Sequence, residues 1–301
     1  MLKRIIGHYT QYQNGALFIA MAAIHGNEPA GLIALQRVFQ YLKTHKITFR
    51  GTFWGILGNK AAYNQGKRFV DVDMNRQWKT ENIDHLLATP VQDIELQEHR
   101  EQKELLDMLR YLLRNNRNYP IVMADFHTFS AKGKAYTLAS KVEGSSALAQ
   151  HVALTTIEGM EQVLEGTTMN FFNHHNWQSL CIETGQHTDP LAIDVAEAAL
   201  WQTLHHLDCV DEIDIPQKED KRNLLRQMRA DTPSTVRFCY RHAIQPSDAF
   251  VMRSGYVNFQ AIKEGEILAD DKSGVVRAPM NGLILMPLYQ KQGEDGFFIV
   301  Q

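Results

Sequence analysis

The sequence predicts an α/β fold: a mixed or parallel central sheet flanked by helices, followed by a smaller all-β domain. Three observations lead there. Apolar runs of strand length alternate with helical repeats over about the first two hundred residues. The first of those runs is apolar throughout rather than alternating, as strands covered on both faces are. Beyond about Leu207 the helical texture gives way to short segments separated by Gly, Pro, Asp and Asn.

Ala16 to Ile24 (ALFIAMAAI) opens the sheet and ends in His-Gly-Asn-Glu-Pro. From Pro29 the spacing changes, with Leu32, Leu35, Val38, Phe39 and Leu42 at helical intervals. A proline suits the first turn of a helix, so Glu28 and Pro29 form the strand-to-helix junction. Gly51 to Leu57 is a second strand. Pro90 to Arg114 carries a long charged helix with Ile94, Leu105, Leu106, Leu109 and Leu112 as its apolar stripe. Pro120 to Phe126 is a third strand, ended by His127, and Leu180 to Ile182 a short one, ended by Glu183. Leu191 to Leu207 is again helical. Asp208 to Asp220, acidic and proline-containing, reads as a linker. It leads to Val236–Tyr240, Ala249–Met252, Gly255–Ala261, Gly274–Ala278 and Gly282–Pro287, the strands of a small β unit. Two domains are therefore expected, 1–207 and 208–301.

Composition narrows the function. At 301 residues the chain can bury one large core and a smaller one. Its net charge of −3 and sequence pI near 6.5 give no excess of basic charge for nucleic acid or a membrane surface. The basic run Arg110 to Arg117 is read as a solvated helix end. Cys181, Cys209 and Cys239 are too few and too widely spaced for a disulfide framework or a CxxC metal site. The N-terminus has no long apolar h-region, and no stretch approaches the roughly 20 apolar residues of a membrane span. Cytoplasm is the expected compartment. Size alone allows a homo-oligomer without requiring one.

In α/β folds ligands gather at the carboxyl ends of strands. The residues following the expected strands form a coherent set: His25-Gly26-Asn27-Glu28, then Arg68, Asp71, Asp73, Asn75 and Arg76, then Asp125 and His127, then Glu183. Two histidines and a carboxylate suffice for a catalytic zinc with one position left for water. His25 and Glu28 flank one strand-to-helix turn, so both can reach one ion, and His127 would join from a neighbouring strand end. Asp125 shares a face with His127 in an extended segment and can orient it from behind.

These segments resemble the succinylglutamate desuccinylase/aspartoacylase family, a branch of the zinc carboxypeptidase-like hydrolases. The chain carries HGNE at His25–Glu28 and RFVDVDMNR at Arg68–Arg76. It also carries D-x-H at Asp125–His127 and I-E-x-G at Ile182–Gly185. The four motifs come in the family's order between about residues 20 and 190, while the β-rich tail matches only loosely. The resemblance implies a zinc carboxypeptidase-like sheet and a zinc hydrolase domain over 1–207. It implies that His25, Glu28 and His127 bind one zinc ion per chain. By the same resemblance Glu183 is the general base, Arg68 polarises the scissile carbonyl, and Asn75 and Arg76 hold the α-carboxylate of an N-acyl amino acid. A plainer reading of Arg76 is an ion pair with Asp71 or Asp73.

The pattern departs from the family in one respect. An acidic acyl group or side chain calls for a second cation before the I-E-x-G motif, yet Gly159 to Ile182 contains no Lys or Arg. His174 and His175 stand there instead, as substrate contacts or as a surface pair. Tyr289 is a further candidate if the tail docks on the site, and Lys132 and Lys134 are alternative cations. A neutral acyl group is thus in view. The competing readings are a zinc carboxypeptidase acting on short peptides and a non-catalytic metal-binding protein. A His2Glu site also accepts other first-row ions.

Overall fold

The computed structural model describes residues 3–116 and 118–301, apart from the Gln13 side chain; Arg117, the end of the basic run, lies outside them. In chain order the elements are β1 (Ile5–Thr10), β2 (Tyr12–Ala22), α1 (Ala30–His45), β3 (Arg50–Leu57), α2 (Lys60–Gln65), α3 (Thr80–Ala88), α4 (Gln97–Asn115), β4 (Ile121–Phe129) and β5 (Tyr136–Ala139). There follow α5 (Ser145–Val152), β6 (Thr155–Glu158), α6 (Thr168–His174), β7 (Gln178–Gln186), α7 (Leu191–His206) and α8 (Lys218–Arg229). The tail holds β8 (Thr235–Ala243), β9 (Val251–Met252), β10 (Gln260–Ile262), β11 (Ile267–Asp271), β12 (Gly274–Arg277), β13 (Gly282–Leu285) and β14 (Asp295–Val300).

Eleven strands form one mixed sheet in the order β1-β3-β2-β4-β7-β5-β6-β8-β14-β13-β10, and β12-β11-β9 form a small second sheet. The parallel pairs β3–β2, β2–β4 and β4–β7 sit at its heart. The alternation of side chains along β2 explains its unbroken apolar run. Phe18, Ala20 and Ala22 face α1, α5 and α7 on one side of the sheet. Leu17, Ile19 and Met21 face α3, α4 and α6 on the other. The expected α/β class with a mixed central sheet and helices on both faces is what the chain forms.

Local chemistry shifts some boundaries. The long helix begins at Gln97, not Pro90, because Leu96 is extended and residues Val91–Asp93 make only a single 3-10 turn. The strands bearing His127 and Glu183 run past those residues, to Phe129 and Gln186, because each supplies the other's ladder partners. Residues 208–220 are not a free linker. Cys209, Val210 and Ile215 are buried in the same core as α7, and Leu225 of α8 joins them. Strand β8 then pairs in parallel with β6, so the sheet runs unbroken into the tail. We retain the division after residue 207 as a proposal about folding units.

Leu225 is 1% exposed, so Leu225→Ala is expected to cost about 2–5 kcal/mol in urea unfolding. A position on a free linker would change stability by no more than about 0.5 kcal/mol.

Candidate active site

Strand β2 leaves the sheet through Ala23, whose φ of 53° lies in the left-handed region that non-glycine residues rarely adopt. Gly58 and Asn59 N–H groups hold that exit by donating to the Ala22 and Ala23 carbonyls at 2.8 Å each. The chain then bends so that His25 and Glu28 return over the sheet. Gly26 is required by close approach: a Cβ there would lie 2.1 Å from the Ala62 carbonyl carbon of α2. Its N–H donates to the Arg68 carbonyl at 3.1 Å, tying the first motif to the second.

The second motif is an irregular loop anchored by one buried carboxylate. Glu98, in the first turn of α4, accepts from the N–H groups of Val70, Asp71 and Val72 at 2.7, 2.8 and 3.2 Å, and from Asn59 Nδ2 at 2.9 Å. That anchor delivers Arg68, Asp73 and Asn75 to the same side as His25. The third and fourth motifs arrive on neighbouring strands, where His127 of β4 and Glu183 of β7 are register partners.

The first three segments converge on Glu28, which is 1% exposed. His25 Nδ1 lies 3.0 Å from Glu28 Oε1 and His127 Nδ1 lies 3.0 Å from Oε2. Arg68 reaches Oε1 at 3.3 Å, and the Thr128 N–H donates to Oε2 at 3.1 Å. One ligand atom from each of His25, Glu28 and His127 lies within 4.8 Å of the others. Ligand atoms about 2.1 Å from a tetrahedral ion stand about 3.4 Å apart, so the cluster has the dimensions of a metal site. Behind each ring stands an aspartate: Asp73 Oδ1 at 3.0 Å from His25 Nε2, and Asp125 Oδ2 at 3.2 Å from His127 Nε2. A proton on Nε2 facing the aspartate leaves the Nδ1 lone pair turned to the centre. His25 Nδ1 is buried and, though near Glu28, has no hydrogen-bond partner. A buried lone pair aimed at a carboxylate is unfavourable unless a cation lies between them, so the donor set fits a divalent metal.

Charge follows from burial and neighbours. Burial works to raise the Glu28 carboxyl, but His25 and His127 outweigh it and hold it well below the usual range. Asp73 is likewise held low by His25 and Arg68 against the effect of burial. Burial lowers His127, yet Asp125 and Glu28 more than reverse this and raise it well above the ordinary imidazole. Glu183 goes the other way. Burial, reinforced by Glu28 and Asp125 and opposed by His127 and Arg68, pushes it up to about 8. Its Oε2 is buried without a partner.

His25, Glu28, Arg68, Asp125, His127 and Glu183 line one cavity with an empty volume of about 870 Å³ including its mouth, the size of a small-molecule site. Asn75 and Arg76 line it too, but each is engaged. Asn75 Oδ1 accepts from the Thr168 N–H at 3.0 Å. Arg76 donates to the Asn75 carbonyl and, at 3.0 Å, to Asp295 of β14. Its ion-pair partners are therefore Asp295 and, at 3.9 Å, Glu294, rather than Asp71 or Asp73. His174 and His175 do not reach the cavity; they line a separate groove, where His175 stacks on Trp177 with ring centroids 4.5 Å apart. Tyr289 is also turned away, its hydroxyl donating to the Arg253 carbonyl at 2.8 Å. Lys134 reaches the Ala230 carbonyl, and Lys132 is exposed. The tail contributes instead through Gln290, which accepts from Asn27 at 3.0 Å and lies 3.1 Å from His187. Sequence reasoning missed Asp73 as the partner of His25, although it stands between Arg68 and Asn75 in the motif. It also missed Tyr136, a buried phenol on the cavity wall whose hydroxyl has no partner.

A family model described as the succinylglutamate desuccinylase/aspartoacylase catalytic domain matches residues 15–207. The chain belongs to this family. A succinylglutamate desuccinylase of Pseudomonas putida is 24% identical over 276 residues, covering 85% of this chain and 73% of the relative. Among solved structures, the product-bound ectoine utilization protein EutE (DoeB) of Ruegeria pomeroyi superposes with a TM-score of 0.67 at 15% identity, over 97% of this chain and 87% of that one. Murine aminoacylase 3 does so with a TM-score of 0.61 at 16% identity, over 97% and 96%. At these identities the structures establish a shared fold, which extends over the tail as well as the matched domain.

Replacing the aspartates behind the rings tests the metal site. Asp73→Asn and Asp125→Asn are each expected to weaken zinc binding about 10- to 100-fold in competition with a chromogenic chelator. A pH series tests the environment of Glu183. Between its ordinary value of 4.5 and about 8 the folded, metal-free protein holds a proton that the unfolded chain has lost. Stability therefore falls as pH rises through that window. Differential scanning calorimetry of chelated protein should show a smaller fall in Tm from pH 5 to 8 for Glu183→Gln than for wild type.

Proposed function

We propose that the chain is a zinc-dependent amidohydrolase that removes the acyl group from an N-acyl amino acid. The observation that carries this reading is the convergence of two imidazole Nδ1 atoms and one carboxylate beside an unpartnered, buried Glu183 in a single cavity. His25, Glu28 and His127 would hold one ion. Bound there, zinc supplies Lewis acidity, polarising a carbonyl and acidifying water.

The chain's own groups supply the rest. Glu183 takes the proton of the attacking water as the bond to the acyl carbon forms. It then returns a proton to the departing nitrogen as the C–N bond breaks, because a free amide anion is too poor a leaving group. Neither step suits a group that merely holds a metal, which argues against a non-catalytic site. Arg68 keeps its positive charge between Glu28 and Asp73 and faces the cavity, where it can meet the carbonyl oxygen as negative charge develops. Asp73 and Asp125 fix the two rings.

Access favours a small substrate over an extended peptide. Tail residues Met286, Leu288, Gln290 and Glu294 form part of the cavity wall, and Gln290 ties the tail to Asn27. A peptidase needs an open groove there. Among the described residues no helix is long and apolar enough to cross a membrane. The three cysteines are free, in keeping with a cytoplasmic location.

The reading is tested by metal analysis together with turnover of N-acetyl, N-formyl and N-succinyl amino acids. About one zinc per chain is expected, with activity lost on chelation and restored by zinc. Glu183→Gln should retain the metal and lose about 10²- to 10⁴-fold in kcat. Bound zinc without turnover of any N-acyl amino acid would refute the proposal.

A further inference from the structure

We propose that Tyr136 is a specificity-determining residue of this site, its hydroxyl donating a hydrogen bond to an oxygen on the variable part of the substrate. The proposal rests on the deacylase reading of the same cavity and deepens it.

Strand register places the phenol. His127 of β4, Glu183 of β7 and Tyr136 of β5 are successive register partners, and Asp125, Cys181 and Leu138 form the next row. Residues two apart on a strand share a face, and all six line the cavity. The upper row therefore runs from a candidate metal ligand through the proposed base to a phenol. Neighbouring strands lie about 4.8 Å apart, so Tyr136 stands roughly 10 Å across the sheet from His127. The scissile carbonyl belongs at the His127 end, with Arg68. The phenol meets what lies on the far side of Glu183.

The hydroxyl is a donor in want of an acceptor. Tyr136 is wholly buried, and its hydroxyl has no hydrogen-bond partner; nor has Oε2 of Glu183. Burial, then the neighbouring Glu183, Cys181 and Glu28, push the phenol well above its ordinary range, so it keeps its proton. The ring is fixed in place. Phe129 stacks on it with centroids 6.0 Å apart, and Phe259 of the tail meets it edge-on at 5.9 Å. A phenylalanine would keep both contacts without burying an unpaired hydroxyl, which is destabilising. The acceptor that satisfies this hydroxyl therefore comes from a molecule in the cavity.

The substrate's own oxygens narrow the choice. The amide carbonyl goes to Arg68, and the resemblance to the family gives the α-carboxylate to Asn75 and Arg76. The oxygen left for Tyr136 lies on the acyl chain or on the amino-acid side chain. A step of about 5 Å between register partners sets it roughly two or three bonds from the scissile amide. A protonated phenol carries no charge, so it reads a hydrogen-bond acceptor rather than a net charge.

Two isosteric pairs exchange one oxygen for a methylene at that distance. N-methoxyacetyl-L-leucine against N-butyryl-L-leucine probes the acyl chain. N-acetyl-O-methyl-L-serine against N-acetyl-L-norvaline probes the side chain. Zinc-loaded wild type is expected to favour the oxygen member of one pair about tenfold in kcat/KM, and that pair identifies the arm. Tyr136→Phe should abolish the preference without lowering kcat/KM for the methylene members. It should keep or raise Tm, because only an unpaired hydroxyl is lost. Absence of preference in both pairs, a preference that survives Tyr136→Phe, an equal loss on all four compounds or a clear fall in Tm overturns the proposal. Where wild type hydrolyses none of the four, they are titrated calorimetrically instead, which tests the contact whether or not the deacylase reading holds. A binding preference abolished by Tyr136→Phe sustains the contact. No binding, or the same preference in both proteins, sinks it.

Discussion

The arrangement of the site follows from the need to keep a carboxylate ionised in a dry interior. Glu28 is almost wholly buried, and its two oxygens meet His25, Arg68, His127 and the Thr128 N–H. Removing a charge from water is costly unless it is surrounded by compensating groups. Those groups come from three distant parts of the chain, so satisfying Glu28 brings the β2 exit, the 68–76 loop and the end of β4 to one point. The imidazoles then need their own partners, which Asp73 and Asp125 provide. A divalent ion at the centre would relieve the crowding of acceptors that remains.

Rigidity around this point has two sources. On one side Glu98 accepts from three successive backbone N–H groups of an irregular loop. On the other, His127 and Glu183 sit inside paired strands rather than on the loops beyond them. A site built on strand ladders holds its side chains more tightly than one built on mobile connections. The tail adds a third wall, with Gln290 reaching Asn27 and Asp295 reaching Arg76. The family's catalytic motifs alone therefore do not define the cavity.

Much of this was legible in the sequence, for physical reasons that also mark where legibility stops. The apolar run of β2 and the helical spacing after Pro29 are local signals; α1 begins at Ala30 as expected, while β2 runs from Tyr12 to Ala22 where Ala16 to Ile24 is expected. The coincidence of polar residues at strand ends located the cluster. Three kinds of feature escaped. Strand ends were drawn short at His127 and Glu183, because polar residues look like termini when the partner strand is unseen. Helix α8 (KEDKRNLLRQMR) has no counterpart among the expected elements, its first three residues falling in the expected linker, because few of its positions are apolar, and Leu225 is buried in the same core as α7. The contacts of Arg76 with Asp295 and of Asn27 with Gln290 span 219 and 263 residues. They depend on how β14 and the loop before it lie against the first domain, which no local pattern encodes. Tyr289 is the candidate the sequence offers, and it is its neighbour Gln290 that contacts Asn27 and His187.

The unbroken pairing of β6 with β8 has a consequence for how the protein can fail. Strand β6 is four residues long with Thr155, Thr156 and Ile157 buried, and β8 lies along its outer row of N–H and C=O groups. Were synthesis to stop before Thr235, that row would be left open to any other strand in the cell. An uncovered sheet margin of this kind can pair with further copies and grow into aggregates. The tail is then a guard against self-association of the half-made enzyme as well as a wall of its cavity. Its late arrival on the ribosome would make the interval before β8 is complete the most hazardous one in the life of the chain.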